Sequence, residues 1–245
     1  MRRAFWQDVL PGLIAAGLLS CGEVLLLGHP TWQVPLAGYL AASTVYIADH
    51  RIPATGKAPP RIWCWIALRC GALGMLLLTC PRFNLLPILL YLGLALGYVL
   101  HLPGTTVRLQ EHPWLRVTLV SAGWGCVPLI LNGLPLTSST LGFLLGNTSL
   151  FLAGVMWSDL SDREEDRAQH RITPAQQLSP RHFKRIVTAA YAISAGAYVL
   201  SGFPILGVAS LLGGGLIPGS EKQRLLPYTD ALLLWPGLCV LPLLF

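Results

Sequence analysis

Long apolar runs, broken at short intervals by proline, glycine or charge, organise this chain from end to end. They cover approximately residues 9–28, 31–48, 62–80, 84–101, 115–134, 139–157, 183–201, 203–219 and 226–245. A helix needs about 20 mostly apolar residues to cross the hydrocarbon core of a bilayer, because each residue rises only about 1.5 Å. The runs therefore predict an all-α integral membrane protein with nine transmembrane helices. The eighth run, FPILGVASLLGGGLIPG, is short and rich in glycine, which predicts a kink. Too little chain remains between the runs for a soluble domain, so residues 1–245 are read as a single transmembrane domain.

Composition agrees. Hydrophobic residues make up 53% of the 245 and charged residues 11%, with a mean hydropathy of +0.59, which excludes an ordinary soluble domain. The charges then sort the runs by side. Basic residues in short loops stay cytoplasmic, and with nine spans the N-terminus and the loops after spans 2, 4, 6 and 8 share one side. Every lysine and arginine falls there except Arg82, on the opposite side, and Arg69, inside span 3. A miscounted span would scramble that division, so the N-terminus is placed inside and the C-terminus outside. The net charge of +6 is accounted for by orientation and attraction to lipid headgroups, and no nucleic-acid partner is expected.

Two alternatives concern processing and redox chemistry. The start, MRRAFWQDVLPGLIAAGLLSCG, has the paired arginines, apolar stretch and Leu-Leu-Ser-Cys of a lipoprotein-type signal ending before Cys21. Its removal would leave eight spans, and Gln7 and Asp8 interrupt the basic region, so the first run is read as a retained helix. The six cysteines, Cys21, Cys64, Cys70, Cys80, Cys126 and Cys239, lie in apolar segments without a CxxC pair. They read as small core hydrophobes.

Charge is concentrated in WSDLSDREEDRAQHR, Trp157–Arg171, where span 6 ends on the cytoplasmic side. If the helix continues outward, Asp159, Asp162 and Asp166 stand at i, i+3 and i+7, within about 60° of arc. They form one carboxylate stripe, while Glu164 and Glu165 point elsewhere and pair with Arg167, Arg171 or water. Three carboxylates on one face repel one another unless a cation lies between them. Oxygen-ligated Mg²⁺, completed by phosphate oxygens and water, is the usual one. The plain alternative is a solvated helix end that stops the span sliding inward, although lysine or arginine is the commoner anchor. A second acidic feature ends span 2: STVYIADHRIPATGKAPPR carries one carboxylate, Asp49, followed by Arg51, Lys57 and Arg61. An aspartate beside cations suits a metal and a diphosphate; the bland reading is a helix terminus with a Pro/Gly turn.

Together these features resemble the UbiA superfamily of intramembrane prenyltransferases, whose members have nine transmembrane helices and aspartate-rich motifs after helices 2 and 6. The second family motif often runs Asp-x-x-Asp-x-x-x-Asp-Arg before an Arg-Thr-Leu-Pro-like segment. Here Asp159-Leu-Ser-Asp162-Arg-Glu-Glu-Asp166-Arg167 precedes Arg171-Ile-Thr173-Pro174. The segment RLQEHPWLRVTLVSAGWG is similar to family segments in which a basic residue opens helix 5 shortly after a proline. Arg116 holds that position, with Arg108 upstream. The first motif departs from the family's Asn-Asp-x-x-Asp-x-x-x-Asp. With Asp49 on the middle aspartate, Val45 and Tyr46 replace Asn and Asp, and Pro53 replaces the last Asp. Divergent members show a Tyr-x-x-Asp-Arg arrangement, which Tyr46, Asp49 and the nearby Arg51 resemble.

The resemblance implies helices around a central apolar chamber, in a multi-pass protein of the cell inner membrane whose site faces the cytoplasm. It implies Mg²⁺ as cofactor, held by a catalytic set of Asp49, Asp159, Asp162 and Asp166. It further implies a prenyl diphosphate held by Tyr46, Arg51, Lys57, Arg108, Arg116 and Arg167. Arginine and lysine complement the metal, which neutralises only part of a diphosphate's charge. Ionisation of the carbon–oxygen bond would leave an allylic cation and pyrophosphate, and an unidentified hydrophobic acceptor, aromatic or lipid, would attack that carbon. Metal and arginines would stabilise the charge growing on the departing group. Membrane lipids are the remaining expected partners. Glycines such as Gly93, Gly97, Gly123, Gly125, Gly142, Gly146 and Gly154 would permit close helix packing.

Other polar residues have simpler readings. Arg69 is roughly 12 Å from the cytoplasmic end of span 3, where it either snorkels to the interface or lines the headgroup chamber. Glu23 reads as an interface residue and Asp230 as a candidate for the site. His50, His101, His112, His170 and His182 share the cytoplasmic side without metal-ligand spacing; His50 and His101 are candidates for contact with the acceptor. The thinned first motif also suits a descendant that binds or carries an isoprenoid or lipid without turnover. A CDP-alcohol phosphotransferase would need Asp-Gly and Ala-Arg inside its motif, which are missing after Asp159 and Asp162. A channel or secondary transporter would need more midplane charge or duplicated halves.

Overall fold

A computed structural model of the chain describes residues 12–17, 19–20, 22–23, 26–28, 31–51, 59–79, 98, 112–168 and 172–215. Every regular element among the described residues is helical. After helical backbone at residues 12–17, 19–20, 22–23 and 26–27 come α1 (Gln33–Arg51), α2 (Pro60–Thr79), α3 (Pro113–Asn132) and α4 (Ser138–Ser161). The short α5 (Arg163–Ala168) and α6 (Pro174–Gln177) lead to α7 (Pro180–Leu200) and α8 (Pro204–Gly215). The apolar runs numbered 2, 3, 5, 6, 7 and 8 are thus helical, as α1, α2, α3, α4, α7 and α8, two of which, α2 and α4, qualify as membrane spans by length and composition. Helix α8 runs through Gly207 without a break in helical backbone. Spans 4 and 9 lie outside the described residues, apart from Tyr98, which is helical.

Local chemistry sets the boundaries. Proline is the first residue of α2, α3, α6, α7 and α8, where its missing N–H costs nothing and its fixed φ already suits a helix. α4 starts instead with a reciprocal cap: Thr140 N–H donates to Thr137 Oγ1 at 3.2 Å, and Thr137 N–H donates to Thr140 Oγ1 at 2.7 Å. α3 stops at Gly133, whose φ of +60° is cheap only without a Cβ. From there the Gly133 and Leu134 N–H groups reach back to the Ile130 and Leu129 carbonyls at 3.3 and 3.1 Å.

α4 packs between α3 and α7, α8 lies against α7, and α1 pairs with α2 and touches α3. Glycine brings α4 and α7 close, as expected for Gly142 and Gly146. A Cβ on Gly146 would stand 2.7 Å from the Tyr198 ring, and one on Gly142 would strike Ser201. Beside them the Tyr198 hydroxyl donates to the buried Asn147 Oδ1.

The core clusters fix how the helices alternate. Val34 and Ala37, early in α1, share a cluster with Leu76 and Leu77, late in α2, and with Val127, late in α3. α1 therefore runs antiparallel to both. Arg116 at the start of α3 meets Asp159 at the end of α4, and Trp157 near that same end stacks on Phe183 at the start of α7. All described lysines and arginines except Arg69 consequently gather at one end of the bundle: Arg51, Arg61, Arg116, Arg163, Arg167, Arg181, Lys184 and Arg185.

Large apolar side chains point outward, among them Trp65, Leu68, Met75 and Leu78 on α2 and Leu200, Ile205 and Leu211 on α7 and α8. Pro60–Thr79 and Ser138–Leu160 are long and apolar enough to cross a membrane. Cys64 and Cys70, expected in the core, are exposed on α2, and Cys126 is half-buried. An apolar thiol fits either apolar setting, so hydropathy alone did not separate them. Cys21, Cys80 and Cys239 lie outside the described residues.

Two intrahelical charges find partners within the protein. Glu23 is buried. Its carboxylate accepts the Thr31 N–H at 3.0 Å and the Thr31 hydroxyl at 2.6 Å, tying the first helical segment to the approach of α1. Arg69 is held in the α1–α2 seam. It donates to Ser43 Oγ and lies 6.0 and 5.9 Å from the Tyr39 and Trp65 ring centres, so ring faces and a hydroxyl accommodate its charge.

Candidate functional site

The acidic segment bends without losing its hydrogen-bond ladder. α4 ends at Ser161, and Asp162 caps it with φ −95° and ψ 7°. Yet the Asp162 N–H still reaches the Ser158 carbonyl at 2.9 Å, and the Asp166 N–H reaches the Asp162 carbonyl at 2.8 Å. Helical phase therefore carries through the bend. Asp159 and Asp166, two turns apart, both sink into the protein, with 2% and 5% exposure. Asp162 stays half-buried at the rim, where Ser158 Oγ is 3.4 Å from its Oδ2. Glu164 is exposed, as its phase predicts, and so is Arg167 in the last turn of α5.

Arg116 provides the positive charge beside the buried pair. It stands in the first turn of α3, with Nη2 3.0 Å from Asp159 Oδ1. Its guanidinium also donates to the Tyr98 side chain and lies in the electrostatic field of Asp166. The arrangement rests on an apolar layer containing Val117, Met156, Ala175, Phe183 and Tyr191. Trp157 covers Phe183 with ring centres 5.9 Å apart. The polar atoms of this region that are buried without a hydrogen-bond partner among the described residues include Arg116 Nη1 and Thr173 Oγ1. Thr173 is fully buried and immediately precedes α6, whose Ala175 belongs to the same apolar layer.

The three expected carboxylates thus divide into two inside and one at the rim. Among the described residues no group of three His, Cys, Asp or Glu side chains is placed to hold one metal ion. The donor set is nevertheless all oxygen, which suits Mg²⁺, and Arg116 is a cation already in contact with Asp159. Tyr46 and Asp49 belong to the backbone of α1, but their side chains lie outside what is described. α1 ends at the exposed Arg51, at the same end of the bundle as Arg116 and Asp159. Lys57, Arg108, Asp230, His101 and His170 lie outside the described residues, as does the side chain of His50. His112 is exposed before α3. His182 is exposed at the start of α7, with Nδ1 2.7 Å from Ser179 Oγ.

Tyr98, Ser158 and Arg163 were not singled out by the sequence, and Thr173 entered only as part of the segment after the acidic motif. Tyr98 ends an apolar run, where tyrosine normally signals the membrane interface. Thr173 gave a weak signal, a hydroxyl before proline in the segment after the acidic motif. Ser158 sits one turn before Asp162, within i to i+4 reach. The half-buried Arg163 follows directly in the motif. Comparison of the chain with protein-family models and with curated protein sequences returns no match.

Proposed function

We propose that the chain is a divergent UbiA-type prenyltransferase. In this reading nine transmembrane helices, N-terminus in and C-terminus out, carry a cytoplasm-facing site in the cell inner membrane. The reaction is Mg²⁺-dependent transfer of a prenyl group from an isoprenoid diphosphate to an aromatic or lipid acceptor. The observation that carries the reading is the buried pair of Arg116 and Asp159. A residue expected on the diphosphate and an aspartate expected on the metal come from distant stretches of sequence and meet at one point. The gathering of basic residues at that end, and the outward apolar side chains of α2, α7 and α8, support the topology.

Asp159, Asp162 and Asp166, with Asp49 from the first motif, would hold Mg²⁺. Bound there, Mg²⁺ shields diphosphate charge and makes the diphosphate a better leaving group. Arg116, using its buried Nη1, would hold a diphosphate oxygen and stabilise negative charge as the carbon–oxygen bond breaks. Asp162, at the rim, is the carboxylate an incoming headgroup meets first. The apolar layer under Arg116 keeps water from the allylic carbon, so the acceptor rather than water captures it.

The test uses purified protein in lipid nanodiscs with Mg²⁺, a panel of radiolabelled prenyl diphosphates and a lipid extract of the source cell. Expected are a prenylated lipid-soluble product and pyrophosphate, both abolished by EDTA. Asp159→Ala and Asp162→Ala should each lower turnover by about 10²–10³-fold, the usual cost of losing an electrostatic stabiliser. Absence of Mg²⁺-dependent product, or unaltered turnover in both variants, refutes the reading. Diphosphate binding without product would identify a carrier descended from the enzyme.

A further inference from the structure

We propose that Arg116 is an exchangeable counter-ion: it holds Asp159 until a diphosphate arrives, then moves onto the diphosphate and opens Asp159 to a divalent cation. The identity of the anion rests on the prenyl-diphosphate reading; the exchange itself rests on the buried pair.

The two uses of Asp159 compete. Arg116 Nη2 is 3.0 Å from Oδ1, whereas a Mg²⁺ ion on a carboxylate oxygen sits at about 2.0–2.1 Å. Guanidinium and metal on one carboxylate would bring two positive charges close together in a poorly solvated place. An anion that draws the guanidinium away removes the conflict.

Arg116 is suited to leave. It is 21% exposed where Asp159 is 2% exposed, so the arginine forms the accessible half of the pair. Nη1 is a buried donor with no hydrogen-bond partner among the described residues. With Nη2 it completes the planar fork that grips phosphate oxygens in pairs. The bond to Tyr98 keeps the guanidinium in the neighbourhood during the exchange. Once it turns to the diphosphate, Asp159 and Asp166 remain as two buried carboxylates, an arrangement that favours a divalent cation. Diphosphate and metal then strengthen each other's binding through Arg116, and linkage makes the effect equal in both directions.

The exchange predicts gains of binding in opposite variants. Mn²⁺ alone, read by electron paramagnetic resonance, should bind wild type weakly, because the Arg116 guanidinium competes with it for Asp159. Arg116→Met should bind it about 10-fold more tightly, within the roughly 5- to 150-fold range of such couplings. Arg116→Met/Asp159→Asn should lose that gain. Conversely, radiolabelled inorganic diphosphate in EDTA should bind Asp159→Asn about 10-fold more tightly than wild type, and Arg116→Met more weakly. Asp159→Asn preserves shape, so the second arm decides the matter if Arg116→Met does not fold. Equal Mn²⁺ binding by wild type and folded Arg116→Met overturns the proposal, as does unimproved diphosphate binding by Asp159→Asn. If both gains occur but no prenyl diphosphate is ever turned over, the exchange stands and the prenyltransferase reading fails. If prenyl transfer occurs while both arms stay flat, the exchange alone fails.

Discussion

Replacing Arg116 by methionine isolates the energetic role of the buried pair. The substitution leaves a carboxylate of 2% exposure without the guanidinium that stands 3.0 Å from it. Stranding one member of a buried pair costs about 3–5 kcal/mol. The opposite truncation is milder. Asp159→Asn leaves Arg116 partly exposed, bonded to Tyr98 and still attracted by Asp166, so its cost is about 1–3 kcal/mol. Replacing both, as Arg116→Met/Asp159→Asn, removes the stranded charge and should cost no more than about 1–3 kcal/mol. The coupling in this cycle is then several kcal/mol, far above the roughly 0.3–0.5 kcal/mol scatter of independent sites. Reversible unfolding in mixed micelles would measure it, followed by tryptophan fluorescence, since Trp157 lies directly on the structure beneath the pair. The reasoning is refuted if Arg116→Met costs no more than Asp159→Asn, or if the double variant loses the sum of the two.

Further substitutions probe the packing of the helices. Gly146→Ala should cost about 1–3 kcal/mol in the same assay, because its Cβ would meet the Tyr198 ring at 2.7 Å. Gly196→Ala, where nothing lies within 4 Å, should be neutral or stabilising by up to about 1 kcal/mol; equal effects would refute the close-contact account. Tyr198→Phe removes the donor to a buried Asn147 oxygen and should cost about 1–3 kcal/mol. Adding Asn147→Leu should return part of that loss, and no recovery would show that the bond is not the cause. Glu23→Gln turns an amide towards one of two Thr31 donors, so a loss of about 1–3 kcal/mol is expected. Unchanged stability would mean that the Glu23 link does not fasten the first helical segment.

The helices were legible because apolar run length and proline position are local properties. Pro60, Pro113, Pro180 and Pro204 mark helix starts that hydropathy alone places two or three residues late or one residue early. Helical phase likewise separated Asp159, Asp162 and Asp166 from Glu164. It did not show that a bend at Asp162 leaves one aspartate at the rim while the ladder carries the other two inward. Tyr98, Thr173 and the seam around Arg69 were hidden for a common reason. In an apolar run a tyrosine, threonine or arginine looks the same whether it faces lipid, solvent or a partner helix, and only packing distinguishes them. Electrostatics closes the remaining gap. Two carboxylates with 2% and 5% exposure cannot both stay charged without a nearby cation, a requirement that follows from the sequence once they share a face. The fold brings Arg116 to 3.0 Å from one of them, so the first cation to meet that requirement belongs to the chain. Any divalent ion must compete with it, and the anion best able to settle that competition is one that Arg116 binds more strongly than it binds Asp159.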